Sequence, residues 1–251
     1  MKQWTVIFLF ALSGVAVAQN DLGVLGCGEL KNAFGPLDYR VTPQDTRDLV
    51  DNAHFTPSVE SLIKGNTSVT AGPDIDYTLR AYPNHPRALL AMMNLSFKEK
   101  TTKPRGSHYS VECWFDRAER FRPDDGVVQM LYGIYLLKLG RTSEAVKKFE
   151  AAEATADGDP NLYYNLGLAY FDLKKYDRAL DYAHKAYALN FPLPGLRDKL
   201  KRMHAWKDLP PPPQNSAPQN NDSQGVGSIQ RVEKTQSDTL QNNNDSPHEN
   251  P

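Results

Sequence analysis

The sequence predicts an all-α fold, a row of antiparallel helix pairs, and three observations carry that prediction. Two stretches repeat with an offset of 34 residues, so that Gly133 recurs as Gly167, Leu136 as Tyr170, Ala145 as Ala179 and Ala152 as Ala186. Within each copy the apolar residues fall at helical rather than alternating spacing. Each copy is broken once by a short turn, at Gly140 in the first. A period of this length marks units that cannot bury their apolar faces alone. They stack, three or more at a time, into an elongated array whose long surface is free to hold another polypeptide.

Taken from the front, Lys2 precedes an apolar run from Val6 to Leu12, and Ala16-Val17-Ala18 stands before Gln19. A basic start, a short apolar stretch and an A-x-A site read as a secretory signal over residues 1–18. The run falls short of the roughly 20 residues that a spanning helix needs. The expectation is therefore an exported chain, periplasmic or secreted, with no integral membrane segment once the signal is cleaved. A lipidated Cys27 is the competing reading, since Val24-Leu25-Gly26 precede it, but Gln19-Asn20-Asp21 would then interrupt the apolar stretch.

Residues 19–85 form an N-terminal segment followed by a degenerate helical repeat or cap. Thr42-Pro43 and Thr56-Pro57 each have the form of an N-cap followed by a first-turn proline, and predict helices over 43–53 and 57–64, with a third over 73–81. Residues 86–125 make an irregular repeat. Helix A runs from Pro86 through Leu89, Met92, Met93 and Ser96, and helix B carries Val111, Phe115 and Ala118. From Pro83 to Pro123 is 40 residues, one repeat plus six, and the surplus falls in an enlarged turn at 101–108, where Pro104 and Gly106 break the helix.

The repeat at 126–159 carries Tyr132, Gly133 and Leu136 on helix A and Ala145, Phe149 and Ala152 on helix B. The repeat at 160–193 opens on Asp159 as N-cap and Pro160 at the first helical position, where a missing N–H costs nothing. Its helix A carries Tyr163, Leu166, Gly167 and Tyr170, and its helix B Ala179, Ala183, Ala186 and Leu189. Residues 194–208 read as an amphipathic closing helix with Leu196, Leu200 and Met203 inward. Residues 209–251 open on Pro210 to Pro213 and are rich in Asn, Gln, Ser and Asp; a composition that cannot offset its ordering entropy by burial is expected to be disordered.

This pattern resembles the tetratricopeptide repeat, most strongly in Tyr163-Tyr164-Asn165-Leu166-Gly167-Leu168-Ala169-Tyr170. The resemblance implies a right-handed superhelical solenoid in which the A helices line a concave groove. Carried over position by position, it implies a partner-binding groove made of Arg87, Leu90, Asn94, Phe97 and Lys98, then Val127, Met130, Ile134, Leu137 and Lys138, then Asn161, Tyr164, Asn165, Leu168 and Phe171. Asn165 matches the asparagine with which many family members hold a ligand main chain, whereas Leu131 stands where a corresponding amide is expected. Apolar groups with a few amides and cations suit a protein or peptide partner. The same residues also fit simple packing against the next helix.

Other function classes leave little trace. The formal net charge of −1 argues against a general nucleic-acid binder. No H-E-x-x-H, G-x-S-x-G, P-loop or paired C-x-x-C is present, and His54, His85, His108, His184, His204 and His248 lack ligand spacing. No catalytic residue, metal or cofactor is expected. Cys27 and Cys113 are the two cysteines, and in an oxidising compartment they are expected to bridge, closing a loop of about 85 residues. By the repeat counting, Cys113 lies on the outward face of its helix, which would pin residues 35–40 behind the array. Two functions fit: an adaptor of the cell envelope holding a partner in the groove, or a structural accessory subunit of an envelope polysaccharide-export or secretion complex.

Overall fold

The computed structural model describes residues 26–155 and 158–209. The predicted signal at 1–18 and, beyond Leu209, the predicted tail lie outside these residues. Among the described residues there are ten helices: α1 Gln44–His54, α2 Pro57–Glu60, α3 Ala71–Ala81, α4 Pro86–Glu99, α5 Val111–Phe121, α6 Gly126–Lys138, α7 Thr142–Glu153, α8 Pro160–Asp172, α9 Tyr176–Ala188 and α10 Gly195–Arg202. They form an all-α solenoid of antiparallel pairs. Helices α4, α6 and α8 are the A helices, α5, α7 and α9 their B partners, and each B helix also packs on the A helix that follows it, or on α10 at the end. Along the A side, α2, α4, α6, α8 and α10 touch in that order.

Local chemistry starts the helices. The Asp125 carboxylate accepts from the amides of Val127 and Val128, both at 3.2 Å, and Asp159 does the same for Asn161 and Leu162. Ser110 caps α5 through the amide of Cys113, and the ring of His85 caps α4 by accepting from the Ala88 amide at 3.1 Å. Each satisfies donors that a helix start would otherwise leave unpaired.

Small residues then set how closely the helices pack. A Cβ on Gly133 would lie 2.5 Å from the ring of Phe149, and one on Gly167 would lie 2.3 Å from Leu196. Thus the first glycine lets α7 close on α6, and the second lets α10 close on α8. Two large apolar clusters result, one including Ile75, Met92, Trp114 and Phe115, the other Leu136, Phe149, Leu166 and Ala183, and a smaller third holds Val50, Ala81 and Tyr82.

Four sequence expectations need correction. Neither Thr42 nor Thr56 caps its helix through the side chain; the Thr42 hydroxyl donates to the Asp38 carbonyl at 2.6 Å, and that of Thr56 pairs with Ser58 at 3.1 Å. Helix α2 ends after one turn instead of reaching residue 64, and the chain reverses at Leu62 with φ of 58°. The reversal lets the Asn66 and Thr67 amides and the Thr67 and Ser68 hydroxyls converge on the buried Asp74 carboxylate. Helix α3 begins at Ala71, two residues before the predicted start, because Pro73 lies within the first turn, where no amide donor is required. The closing helix stops at Arg202. Leu196 and Leu200 are buried as expected, but Met203 is 48% exposed.

Candidate partner-binding groove

The predicted groove residues lie on neighbouring A helices, α4, α6 and α8. On α6 the inward side is Val128, Leu131, Tyr135 and Leu136, all buried, while Val127 is 41% exposed and Met130, Ile134 and Leu137 are half-buried. Leu131, the residue standing in place of an amide, is therefore core. On α4, Leu90 is 38% exposed and Asn94 is exposed. On α8, Asn161 is exposed, and Asn165, Leu168 and Phe171 are half-buried.

Both ends of this row are partly covered by the chain itself. Arg87 is held by Glu60 of α2 in a two-pronged ion pair, and its guanidinium lies 5.5 Å over the ring of Phe55. That guanidinium hydrogen bond holds the Glu60 carboxyl below its usual range, and Glu60 in turn raises Arg87. The Lys98 ammonium donates to the Leu62 carbonyl at 2.8 Å. Two of the three cations that the sequence offered to a ligand carboxylate, Arg87 and Lys98 but not Lys138, are thus occupied by α2 and the turn after it.

At the other end, Tyr164 is only 9% exposed and stacks on Phe191 at 4.3 Å, and Lys199 of α10 lies 5.2 Å over Phe171. Tyr164 is consequently packing rather than open surface. The Asn165 amide donates to the Asn161 carbonyl at 2.8 Å, and the Asn161 amide to Asp159 at 3.2 Å.

In the middle, Phe97 packs on Tyr135 at 5.7 Å, with the Lys138 ammonium 5.5 Å above its ring. These residues adjoin a pocket of about 290 Å³ lined by Ser96, Phe97, Lys100, Thr101, Thr102, Tyr135 and Leu139. Lys100 and Leu139 lie outside the set that repeat counting identified. They come to the pocket because the enlarged turn after α4 leans over the end of α6, which a regular 34-residue period cannot reveal.

Cys27 and Cys113 form the disulfide, with their Cα atoms 5.0 Å apart. The strap around Cys27 is secured by Arg117, which donates to the carbonyls of Cys27 and Glu29 at 3.1 and 2.6 Å, and by Arg120, which donates to that of Gly28 at 3.0 Å. Burial pushes the Arg117 guanidinium below its usual range, and it lies between Tyr109, 4.6 Å from the ring centre, and Trp114 at 5.5 Å.

The strap then leaves the back of α5. Residues 35–40, expected to lie behind the array, run instead along the turns between repeats. The Leu37 amide donates to Ala81, the Tyr39 amide to Asn84, and Arg122 to Asp38 at 2.5 Å. Arg40 bridges Asp38, Asp124 and Asp125. The reason is polar: Asn84, Arg122, Asp124 and Asp125 on the turns offer hydrogen-bond and ion-pair partners to Asp38, Tyr39 and Arg40.

His108 pairs with Asp76 at 2.7 Å. Among the described residues, no group of three or more His, Cys, Asp or Glu is placed to hold a metal ion, and no helix is long and apolar enough to cross a membrane.

Comparison with known proteins adds the following. Residues 160–191 match the tetratricopeptide repeat family. No curated protein matches the chain. Among solved structures, a MamA RS-1 ArsTM double mutant is similar at 22% identity over 62% of this chain and 82% of its own, with a TM-score of 0.45. MamA AMB-1 is similar at 16% identity over 62% and 78% of the two chains, TM-score 0.40, and MamA MSR-1 at 14% over 61% and 80%, TM-score 0.40.

Proposed function

We propose that this tetratricopeptide-repeat protein is an exported, non-catalytic adaptor of the cell envelope that holds a protein partner against the A helices α4, α6 and α8. The coarse part of this reading, a scaffold for protein interaction, follows from the fold. The observation that supports the finer part is the face of α6. The helix is largely apolar all round, with Gln129 and Lys138 as its strongly polar residues, yet Val127, Met130, Ile134 and Leu137 are left partly uncovered while its other sides are packed. A helix apolar all round is normally buried, and here a partner is what completes the burial. Export is supported by the signal-like start of the sequence and by the disulfide, which persists in an oxidising compartment.

The test is site-specific photo-crosslinking in the native host, from position 134 or 168 of the full chain, with a chain ending at Leu209 alongside. Capture of one partner from both positions, with or without residues 210–251, is expected. Capture that depends on residues 210–251 and is indifferent to position 134 overturns the groove assignment.

A further inference from the structure

The exposed side of α6 has a spacing of its own. Val127, Met130, Ile134 and Leu137 follow one another at intervals of three, four and three residues, the stripe with which one helix receives another. The polar groups that would serve an extended peptide are mostly used elsewhere. Arg87 is on Glu60, Lys98 on the Leu62 carbonyl, and the amides of Asn161 and Asn165 each donate locally at the start of α8; of the predicted groove amides, Asn94 alone makes no side-chain hydrogen bond among the described residues. An extended peptide laid on α6 would lose water from its backbone groups and find few partners for them, which penalises each group left unpaired. A helix satisfies its own backbone.

One end of the stripe leads to the pocket of about 290 Å³ beside Phe97, Tyr135 and Leu139. A dry cavity of about 150 Å³ already accommodates benzene, so this one has room for a bulky apolar side chain. Around that end the unengaged charge is mostly basic: Lys100 is exposed at the pocket wall, Lys138 is exposed on α6, and Lys174 and Lys175 occupy the next turn between A and B helices, whereas Glu99 accepts from the Arg105 amide and Asp172 faces Lys199. Lys98 and Lys138 also sit in the last turns of α4 and α6, where the helix dipole favours them. The complementary partner surface is acidic.

Resting on the groove reading above, we propose that the partner presents an amphipathic helix with an acidic flank, docked along Val127, Met130, Ile134 and Leu137, which places one large apolar side chain in the pocket walled by Phe97, Tyr135 and Leu139 and its carboxylates toward Lys100 and Lys138. Docking a helix in an apolar groove reads out as apolar anchors three, four and seven residues apart.

The experiment is selection of a displayed library of random 18-residue peptides on the full chain, followed by anisotropy titration of the enriched peptides against the parent protein, Ile134→Ser and Leu139→Glu, each variant first checked by circular dichroism. Enriched peptides should carry helically spaced apolar residues with flanking Asp or Glu, gain helicity on binding, and lose at least tenfold in affinity with Leu139→Glu. Enrichment of proline-containing, alternating or basic sequences that Ile134→Ser weakens would overturn the helical partner while leaving the groove in place. Binding indifferent to Ile134→Ser, or no enrichment, removes the groove reading and this inference with it.

Discussion

Removing the disulfide with a Cys27→Ser/Cys113→Ser double variant tests how the N-terminal strap is held. The bridge joins residues 86 apart, and in the chain-entropy treatment a loop of that length restricts the unfolded chain by about 4.6 kcal/mol at 25 °C. The folded side changes little, because Arg117 and Arg120 still donate to the carbonyls of residues 27–29 and the Asp38, Asn84 and Arg122 contacts still anchor the strap farther on. The loss therefore falls on the unfolded state. For a folded unit of this size, about 2–4 °C per kcal/mol converts it to a lower melting temperature by roughly 9–18 °C. Thermal unfolding followed by far-UV circular dichroism, with the parent protein measured oxidised and reduced, gives the number. The reduced parent and the double variant should agree. A double variant melting within about 3 °C of the oxidised parent refutes the loop-closure reasoning, and peptide mapping that finds both thiols free in protein from its native host refutes the bridge itself.

Gly133→Ala should destabilise by about 1 kcal/mol net, since overpacking against the buried Phe149 ring costs about 1–3 kcal/mol and improved helix propensity returns about 1; Phe149→Leu in the same chain should recover part of the loss in urea unfolding, and a Gly133→Ala chain more stable than the parent contradicts the packing. Burial would raise the Asp38 carboxyl, but hydrogen bonds from Arg40, Asn84 and Arg122 hold it well below the usual carboxylate range. A depressed carboxylate stabilises the fold above about pH 4 and loses that contribution as pH falls toward the folded-state value, so Asp38→Asn should cost on the order of 1–3 kcal/mol at pH 7 and progressively less below pH 4; a gap constant from pH 7 to 3 speaks against the clamp. Burial lowers the pKa of His85, with Asp51 opposing, and its Nδ1 accepts the Ala88 amide, which only the neutral ring can do. Because this base is depressed, its contribution is present above about pH 6.5 and shrinks as pH falls; unfolding free energies should decline from pH 7 to 5.5 in the parent and decline less in His85→Asn, which keeps a capping acceptor.

The chain's own periodicity determined that it folds as stacked helix pairs. Gly133 and Gly167, Ala145 and Ala179, and the Asp125 and Asp159 caps each act through neighbours within one or two helices, so their spacing along the chain is enough to read them. The enlarged turn after α4 was legible for the same reason, as a surplus over a fixed period. Tertiary structure decided what is left exposed. Glu60 taking Arg87, the Leu62 carbonyl taking Lys98, and Phe191 covering Tyr164 are contacts between elements outside the repeat register, and no local pattern announces them. They turn part of the predicted groove into packing, and leave α6 with the pocket by Leu139 as its open centre. The course of the N-terminal strap was hidden likewise, since it follows polar groups on two turns some 40 residues apart in the chain, Asn84 and Asp125, which only the folded array brings together at 3.0 Å.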